Sequence, residues 1–213
     1  MASYDLIFYH SPNTRSSVTL QLLDELEALF ELRVLNMKAN EQRRPDYRAV
    51  NPMGKVPAIV HNGAVITEQP ACFIYLADLF AEKGLAPAIG DPMRGLYLRW
   101  IVFYGSSFEP AIVDRSLARQ PAPPSTAPYG DFDTMLSTLV GQLETGPWLL
   151  GDRFTAADVL WGGALSWTVG FGLVPDQPRI RAYIDRFSAR PSGARVRERD
   201  AELAAAHEAA MSI

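Results

Sequence analysis

Residues 51–76 read NPMGKVPAIVHNGAVITEQPACFIYL, and they decide the fold of the first part of the chain. Asn62-Gly63 separates two short apolar runs, 56–60 and 64–66, and an Asn-Gly pair in this position is the strongest short-range signal for a type I′ hairpin turn. Pro70 is tolerated in the first turn of a helix because its missing N–H would have no intrahelical partner there. The stretch therefore predicts two antiparallel strands followed by a helix that begins near Glu68 or Gln69.

The chain before this stretch alternates short strands with a helix. A β-rich run covers Tyr4–Tyr9, a second apolar run covers Leu32–Leu35, and the segment between them has helical spacing over Ser16–Phe30. The helical stripe consists of Val18, Leu22, Leu23, Leu26 and Leu29. Residues 38–50 are polar and contain a proline, which indicates a loop with one irregular turn of helix. Strand, helix, strand, hairpin and helix together predict a mixed sheet covered by helices, the arrangement of a thioredoxin-like domain over residues 1–80.

The second part of the chain has helical periodicity and no strand-like alternation. Glycines and prolines in residues 82–92 mark a linker, and a proline cluster in residues 121–128 separates two helices. The two helical faces comprise Trp100, Phe103, Tyr104 and Ser107, and Phe132, Met135, Leu136 and Leu139. We therefore expect an all-helical C-terminal domain over residues 88–213.

A local helix-start signal lies in LLGDRFTAADVLW, residues 149–161. Thr155 can cap a helix, and the Asp158 carboxylate can reach back to the Thr155 N–H, which is the reciprocal pattern of a capping box. Phe154, just before the cap, can pack against the first turn. We interpret Asp158 as a folding device rather than a catalytic acid.

Composition excludes several classes of function. The 20 Lys and Arg against 24 acidic residues give no basic footprint for nucleic acid, so the expected partner is a small molecule. The single cysteine, Cys72, excludes an internal disulfide and a Cys-x-x-Cys pair, and we interpret it as a small buried hydrophobe. His61 and His207 lack partners at metal-ligand spacing, so no metal is expected. No signal peptide or membrane span is visible, which predicts a cytoplasmic protein.

Residues 51–76 and the capping box resemble the motifs of a known family. The pattern NPMGKVPAI, the hairpin and ITEQPACFIYL are similar to the glutathione-binding half of the cytosolic glutathione transferases, whose usual pattern is N-P-x-G-x-V-P-x-L and then E-S-x-A-I-x-x-Y-L. Gln69 replaces the serine of that pattern and Cys72 replaces its isoleucine. The capping box is also similar, so the resemblance extends from about Asp5 to Arg190. It implies a thioredoxin-like domain followed by an all-helical domain, glutathione as co-substrate, and a homodimer.

The resemblance directs attention to the turn between the first strand and the first helix. In the family a Tyr, Ser or Cys in this turn interacts with the sulfur of glutathione, and a hydroxyl that donates to sulfur favours the thiolate. Alignment makes Ser11 the first candidate and Tyr9 the second. Ser11-Pro12-Asn13 also resembles the Thr-Pro-Asn start of bacterial members that reduce disulfides with glutathione, which adds Asn13. We expect His10 to be a turn or surface residue.

The resemblance also implies the residues that bind the rest of glutathione. Val56, before a proline that is cis in the family, would pair its backbone with the cysteinyl amide, with Pro57 fixing the turn. Glu68 and Gln69 would bind the γ-glutamyl end, and Lys38 would reach the glycine carboxylate.

We expect the electrophile pocket between the two domains, with Tyr104, Ser107 and Phe108 as its wall. The expected function is transfer of glutathione to an electrophilic small molecule, with Ser11 stabilising the thiolate. Two alternatives stay open. One is glutathione-dependent disulfide reduction, and the other is a non-catalytic interaction module, since a fold does not determine a function.

Overall fold

A computed structural model describes residues 6–211 of the chain. Its contacts divide the chain into two compact units, one containing the residues up to Leu76 together with those from Arg190 onward, the other containing Ala77–Ala189. The strands are β1 (Leu6–His10), β2 (Glu31–Val34), β3 (Ala58–His61) and β4 (Ala64–Ile66). The helices are α1 (Arg15–Glu25), α2 (Pro45–Val50), α3 (Gln69–Leu79), α4 (Arg94–Phe103), α5 (Glu109–Ser116), α6 (Phe132–Leu143), α7 (Ala156–Gly170), α8 (Pro178–Ser188) and α9 (Pro191–Met211).

The first unit is built on a four-stranded sheet in the order β2-β1-β3-β4. β1 and β2 are parallel and are joined through α1, while β1–β3 and β3–β4 are antiparallel. A mixed sheet with helices in this order is the predicted thioredoxin-like arrangement, and the prediction is confirmed. The part of the first predicted strand that precedes Leu6 lies outside the described residues.

The hairpin between β3 and β4 has the predicted turn. Asn62 has a φ of 50° and Gly63 a φ of 80°, and positive φ at both central residues defines the type I′ geometry. The register pairs His61 with Ala64 across the turn. A two-residue sequence signal therefore determines the pairing of the edge strand.

The first helix is shorter than its apolar stripe predicts. α1 ends at Glu25, and Glu27 adopts the left-handed conformation with a φ of 50°. The Ala28 N–H then donates to the Leu23 carbonyl at 3.0 Å, which closes the helix end. The expected continuation to Phe30 is wrong, and Leu29 is exposed, because the chain must reverse here to bring β2 parallel to β1.

The last helix belongs to the unit that contains the sheet, because α9 packs along α1. Arg190 pairs with Glu25 at 2.5 Å, and Gln21 Nε2 donates to Ser192 Oγ at 3.0 Å. The predicted boundaries, residues 1–80 and 88–213, follow the order of the chain, whereas in the structure α9 belongs to the first unit. Those domain limits stay a prediction.

The second unit is helical, as predicted, and is centred on aromatic side chains. Trp161 of α7 is fully buried, and its indole N–H donates to the Trp100 carbonyl at 2.9 Å. A π-helical turn, Tyr104–Phe108, joins α4 to α5. Helices of this unit therefore pack around one tryptophan.

The predicted capping box is present at the start of α7. The Thr155 N–H donates to the Asp158 carboxylate at 2.9 Å, and the Leu149 N–H and the Tyr183 hydroxyl reach the same carboxylate at 2.8 and 2.9 Å. Burial raises the pKa of Asp158 to about 6 although these hydrogen bonds lower it. Asp158 is thus part of the core of the helical unit.

Over residues 6–211 no helix is long and apolar enough to cross a bilayer.

Candidate functional site

The turn between β1 and α1 contains the first candidate residues. Thr14 caps α1 by accepting the Ser16 N–H at 3.2 Å, and Asn13 before it is left-handed with a φ of 57°. Asparagine tolerates this conformation better than most residues because its short side chain bonds locally. The chain can therefore leave a buried strand and begin a helix within four residues.

Ser11 is nearly buried, with 3% of its surface exposed. Its N–H donates to Ser16 Oγ at 3.1 Å, and its carbonyl accepts the Thr14 hydroxyl at 2.7 Å. Over the described part of the chain, the Ser11 hydroxyl itself makes no hydrogen bond to another protein group. The backbone of Ser11 is thus fixed while its Oγ is available to a ligand.

His10 is fully buried, and the expectation of a turn or surface position was wrong. Its Nδ1 lies 2.8 Å from Ser16 Oγ, and its Nε2 lies 2.9 Å from an oxygen of Asp200. Asp200 lies on α9, 190 residues later in the chain. Sequence reasoning missed Asp200 because a single carboxylate in a charged helix carries no motif.

Asp200 also contacts the turn directly. It accepts the Ser17 hydroxyl at 2.5 Å and the Asn13 N–H at 3.0 Å. Burial by itself raises the pKa of the Asp200 carboxyl, but the hydrogen bonds from His10, Ser17 and Asn13 outweigh it and the pKa is lowered. An ionised carboxylate therefore lies beneath the turn, at the positive end of α1.

Tyr9, the second candidate for the sulfur contact, lies in the hydrophobic cluster with Tyr47 and Ala58. Successive residues of a strand point to opposite faces, so its ring is on the other face of β1 from His10. Its hydroxyl accepts a 2.9 Å hydrogen bond from Arg33, and its ring centroid is 5.2 Å from that of Tyr47. Tyr9 stays a candidate for the sulfur contact.

The Val56-Pro57 peptide bond is cis, as the resemblance implied. The loop before it is held by Asn51, whose amide donates to the Lys55 carbonyl at 2.8 Å. Gly54 has a φ of 60°, and a Cβ there would lie 2.6 Å from the Gln42 carbonyl oxygen. These contacts explain why the pattern that begins at Asn51 needs an asparagine and a glycine.

Glu68 and Gln69 form the start of α3. Glu68 is exposed with a φ of 64°, and its carbonyl accepts the Cys72 N–H at 3.0 Å. Gln69 is buried, and its Nε2 donates to the Arg15 carbonyl at 2.9 Å. Arg15 is the first residue of α1, so this hydrogen bond brings the beginnings of the two helices together.

The remaining predicted site residues lie elsewhere. Lys38 is exposed, and its ammonium pairs with Glu208. Tyr104 and Phe108 are buried with their rings 5.8 and 4.9 Å from Trp161, and Ser107 beside them is half-buried. Their roles toward glutathione and an electrophile stay predictions.

Cys72 lies in the core with none of its surface exposed, as predicted. Burial raises the pKa of its thiol to about 12, so the reactive thiolate is absent at neutral pH. Across residues 6–211, no three His, Cys, Asp or Glu side chains are grouped to bind a metal ion.

Two family models match the chain. The model of the glutathione S-transferase N-terminal domain covers residues 5–78, and that of the glutathione S-transferase C-terminal domain covers residues 129–186. A crystal structure of a glutathione transferase from Methylococcus capsulatus is 30% identical, has a TM-score of 0.79, and aligns over 92% of this chain and 98% of that one. This chain belongs to the glutathione S-transferase family.

Two further relatives carry informative names. A sphingomonad glutathione S-transferase, solved in complex with glutathione, is 28% identical with a TM-score of 0.75, over 92% of this chain and 98% of that one. The disulfide-bond oxidoreductase YfcG of Escherichia coli is 26% identical, over 88% of this chain and 91% of its own. The relatives of this chain therefore carry the names of two different activities.

Proposed function

We propose that this protein binds glutathione at the Ser11 turn and transfers glutathione, through its sulfur, to an electrophilic small molecule. The observation that carries the proposal is the 2.9 Å hydrogen bond from Gln69 to the Arg15 carbonyl, because it sets the start of α3 against the start of α1. The first N–H groups of a helix have no intrahelical partners, and the dipole there is positive. Asp200 already lies at the start of α1, so the start of α3 is the end that favours an anionic group of the ligand, and glutathione has two carboxylates.

Ser11 is the proposed donor to the sulfur. Its hydroxyl is uncommitted, and a hydrogen bond that favours the thiolate lowers the thiol pKa, each unit being worth about 1.4 kcal/mol. The thiolate then attacks the electrophilic carbon, a carbon–sulfur bond forms, and the leaving group departs with its electron pair. Tyr9 and the Asn13 amide are the further candidates for the sulfur contact.

The other parts of glutathione are assigned to the residues named from the sequence. In this proposal the Val56 backbone, next to Pro57, pairs with the cysteinyl amide. Glu68 binds the γ-glutamyl ammonium and the Gln69 N–H binds its carboxylate. Lys38, exposed at the surface, reaches the glycine carboxylate. Tyr104, Ser107 and Phe108 are the proposed wall of the electrophile pocket.

Disulfide reduction is the second candidate, favoured by Ser11-Pro12-Asn13 and by the relative that is named a disulfide-bond oxidoreductase. The only thiol, Cys72, is buried, so no protein disulfide can take part. One glutathione thiolate would displace a thiol from the substrate to give a mixed disulfide, and a second would release the other thiol as oxidised glutathione forms. A homodimer is proposed for either activity and is measured by light scattering.

Calorimetric titration with glutathione tests the proposal first. If neither heat nor a thermal shift is detected at millimolar glutathione, the interaction-module alternative replaces it. If glutathione binds, turnover of a chlorodinitrobenzene and of a small disulfide distinguishes the two activities. Ser11→Ala should then lower turnover and raise the pKa of the bound thiol, with little change in affinity, whereas Tyr9→Phe should be milder. The reverse order of effects would move the sulfur contact to Tyr9.

A further inference from the structure

A chain of hydroxyl groups runs from His10 to the carbonyl of Ser11. His10 Nδ1 lies 2.8 Å from Ser16 Oγ, which lies 2.7 Å from Thr14 Oγ1. Thr14 Oγ1 in turn lies 2.7 Å from the Ser11 carbonyl oxygen. Each of these three short contacts is a hydrogen bond and needs one hydrogen between its two heavy atoms.

Asp200 determines which nitrogen of His10 carries a hydrogen. The Asp200 carboxylate faces Nε2 at 2.9 Å and also receives the Ser17 hydroxyl and the Asn13 N–H. Burial alone would raise the pKa of this carboxyl, but its hydrogen bonds outweigh burial and the pKa is lowered, so the carboxylate is ionised and can only accept hydrogen bonds. Nε2 of His10 is therefore the donor in its contact with Asp200.

A neutral His10 leaves the chain of hydroxyls one hydrogen short. With the hydrogen on Nε2, a neutral ring has an acceptor at Nδ1, so only the hydroxyls of Ser16 and Thr14 supply hydrogens to the three contacts. A protonated ring, the imidazolium, also carries a hydrogen on Nδ1 and supplies the third hydrogen. Nδ1–H then donates to Ser16, Ser16 donates to Thr14, and Thr14 donates to the Ser11 carbonyl.

The same assignment satisfies the backbone groups nearby. Ser16 Oγ has a second lone pair, which accepts the Ser11 N–H at 3.1 Å. Thr14 Oγ1 likewise accepts the Ser16 N–H at 3.2 Å. The 3.1 Å approach of Ser16 Oγ to the Ser11 carbonyl needs no hydrogen of its own, because Thr14 is the closer donor. With Asp200 ionised, no neutral form of His10 fills all of these contacts.

We propose that His10, as an imidazolium paired with Asp200, is a positioning residue for Ser11, and that Asp200 on the last helix positions the reactive turn through it. The inference rests on the proposed role of Ser11 at the glutathione sulfur. The pair is buried, with side-chain exposures of 0% and 6%, and a buried ion pair is tolerated when further hydrogen bonds complete it, as they do here. Both backbone groups of Ser11 are fixed by this network, so its hydroxyl is presented in a defined place.

Nitrogen-15 NMR of the histidine side chains tests the protonation directly and needs no glutathione. The chain has three histidines, so His61→Gln and His207→Gln assign the remaining resonances to His10. We expect both ring nitrogens of His10 to carry hydrogens at neutral pH, and one of them to lose its hydrogen in Asp200→Asn. A wild-type His10 with a single protonated nitrogen would overturn the proposal.

Kinetics test the positioning role. Asp200→Asn and Ser16→Ala should each lower kcat on the order of 10-fold to 100-fold and raise the pKa of the bound thiol, with glutathione affinity nearly unchanged. The matched control is Asp24→Asn, which removes the 3.0 Å pair of Arg195 with α1 without touching the network, and kcat should be retained. Loss of affinity with kcat intact in Asp200→Asn would contradict positioning.

A double variant separates this inference from the proposed function. Asp200→Asn added to Ser11→Ala should cause no further rise in the thiol pKa, because Asp200 acts through Ser11. If Ser11→Ala alone leaves turnover unchanged, the proposed function of Ser11 fails while the NMR result stands. If Ser11→Ala lowers turnover and Asp200→Asn does not, the positioning role fails alone.

Discussion

The side-chain amide of Gln69 donates to the backbone carbonyl of Arg15 at 2.9 Å, so the first residue of α3 contacts the first residue of α1. Gln69 stands where the family pattern has serine, and serine is too short to make the same contact. The sequence presents this position as a departure from the pattern. The structure shows that the longer side chain joins two helix starts.

Gln69→Ala should weaken glutathione binding about 2-fold to 10-fold, because a hydrogen bond of this kind contributes roughly 0.5–1.5 kcal/mol to holding the two helix starts together. Glu68→Ala should weaken it more, since the γ-glutamyl ammonium would lose its carboxylate partner. Titration calorimetry measures both. Glu82→Ala is the control, because Glu82 is an exposed glutamate beyond the end of α3 and is assigned no glutathione contact. If Glu68→Ala and Gln69→Ala both bind glutathione as tightly as the wild type, neither residue belongs to the site.

What could be predicted from the sequence depended on how far apart the interacting residues lie. The Asn62-Gly63 turn and the capping box of Thr155 and Asp158 are local, and both were found from residues within three positions of each other. The environment of His10 was missed because its partner, Asp200, is 190 residues away. Only the packing of α9 on α1 brings that carboxylate to the turn.

The end of α1 shows a second limit of prediction from the sequence. Leu26 and Leu29 continue the apolar stripe, yet the helix stops at Glu25 because the chain must return to form a strand parallel to β1. No glycine marks the left-handed residue, Glu27, so the sequence lacks the usual stop signal. Tertiary topology overrides local periodicity here.

Cys72→Ala should keep either proposed activity and lower stability. The thiol is fully buried and its Sγ lies 3.6 Å from the Ile66 carbonyl, so the substitution removes packing, at a cost of about 1–3 kcal/mol. Urea unfolding and turnover of both substrates are the measurements. A variant of unchanged stability that has lost all activity would place Cys72 in the chemistry and overturn the role of Ser11.

Asp158 predicts an unusual dependence of stability on pH. Burial raises the pKa of its carboxyl to about 6 from an ordinary 3.8, so the folded state binds this proton more tightly than the unfolded state. Its contribution is fully present below the unfolded value and is lost as pH rises through about 6. The difference in free energy of unfolding between the wild type and Asp158→Asn should therefore fall between pH 4 and pH 7. The expected fall is about 3 kcal/mol, at about 1.36 kcal/mol per unit of pKa. Urea unfolding at several pH values measures it.

Asp131 supplies the control with the opposite sign. Its carboxylate caps α6 by accepting the Thr134 N–H at 2.7 Å, and this hydrogen bond lowers the pKa of Asp131. The stability that its charge contributes is present above the unfolded value and is lost as pH falls through the folded one. The free energy of unfolding of the wild type should therefore fall relative to that of Asp131→Asn as the pH is lowered. The Asp158 interpretation fails if both differences change in the same direction.

The close approach of α7 to α8 gives a prediction for glycine substitutions. A Cβ at Gly162 would lie 2.2 Å from Cγ of the buried Phe187, so Gly162→Ala should force the ring to move and cost about 1–3 kcal/mol. Gly141 in α6 is the matched control, because a Cβ there meets no atom within 4 Å. Gly141→Ala should raise stability by up to about 1 kcal/mol through helix propensity alone. Urea unfolding of both variants measures the difference in stability. Adding Phe187→Leu to Gly162→Ala should recover part of the stability that Gly162→Ala loses. Stabilisation by both substitutions would show that the two helices are not in this close contact.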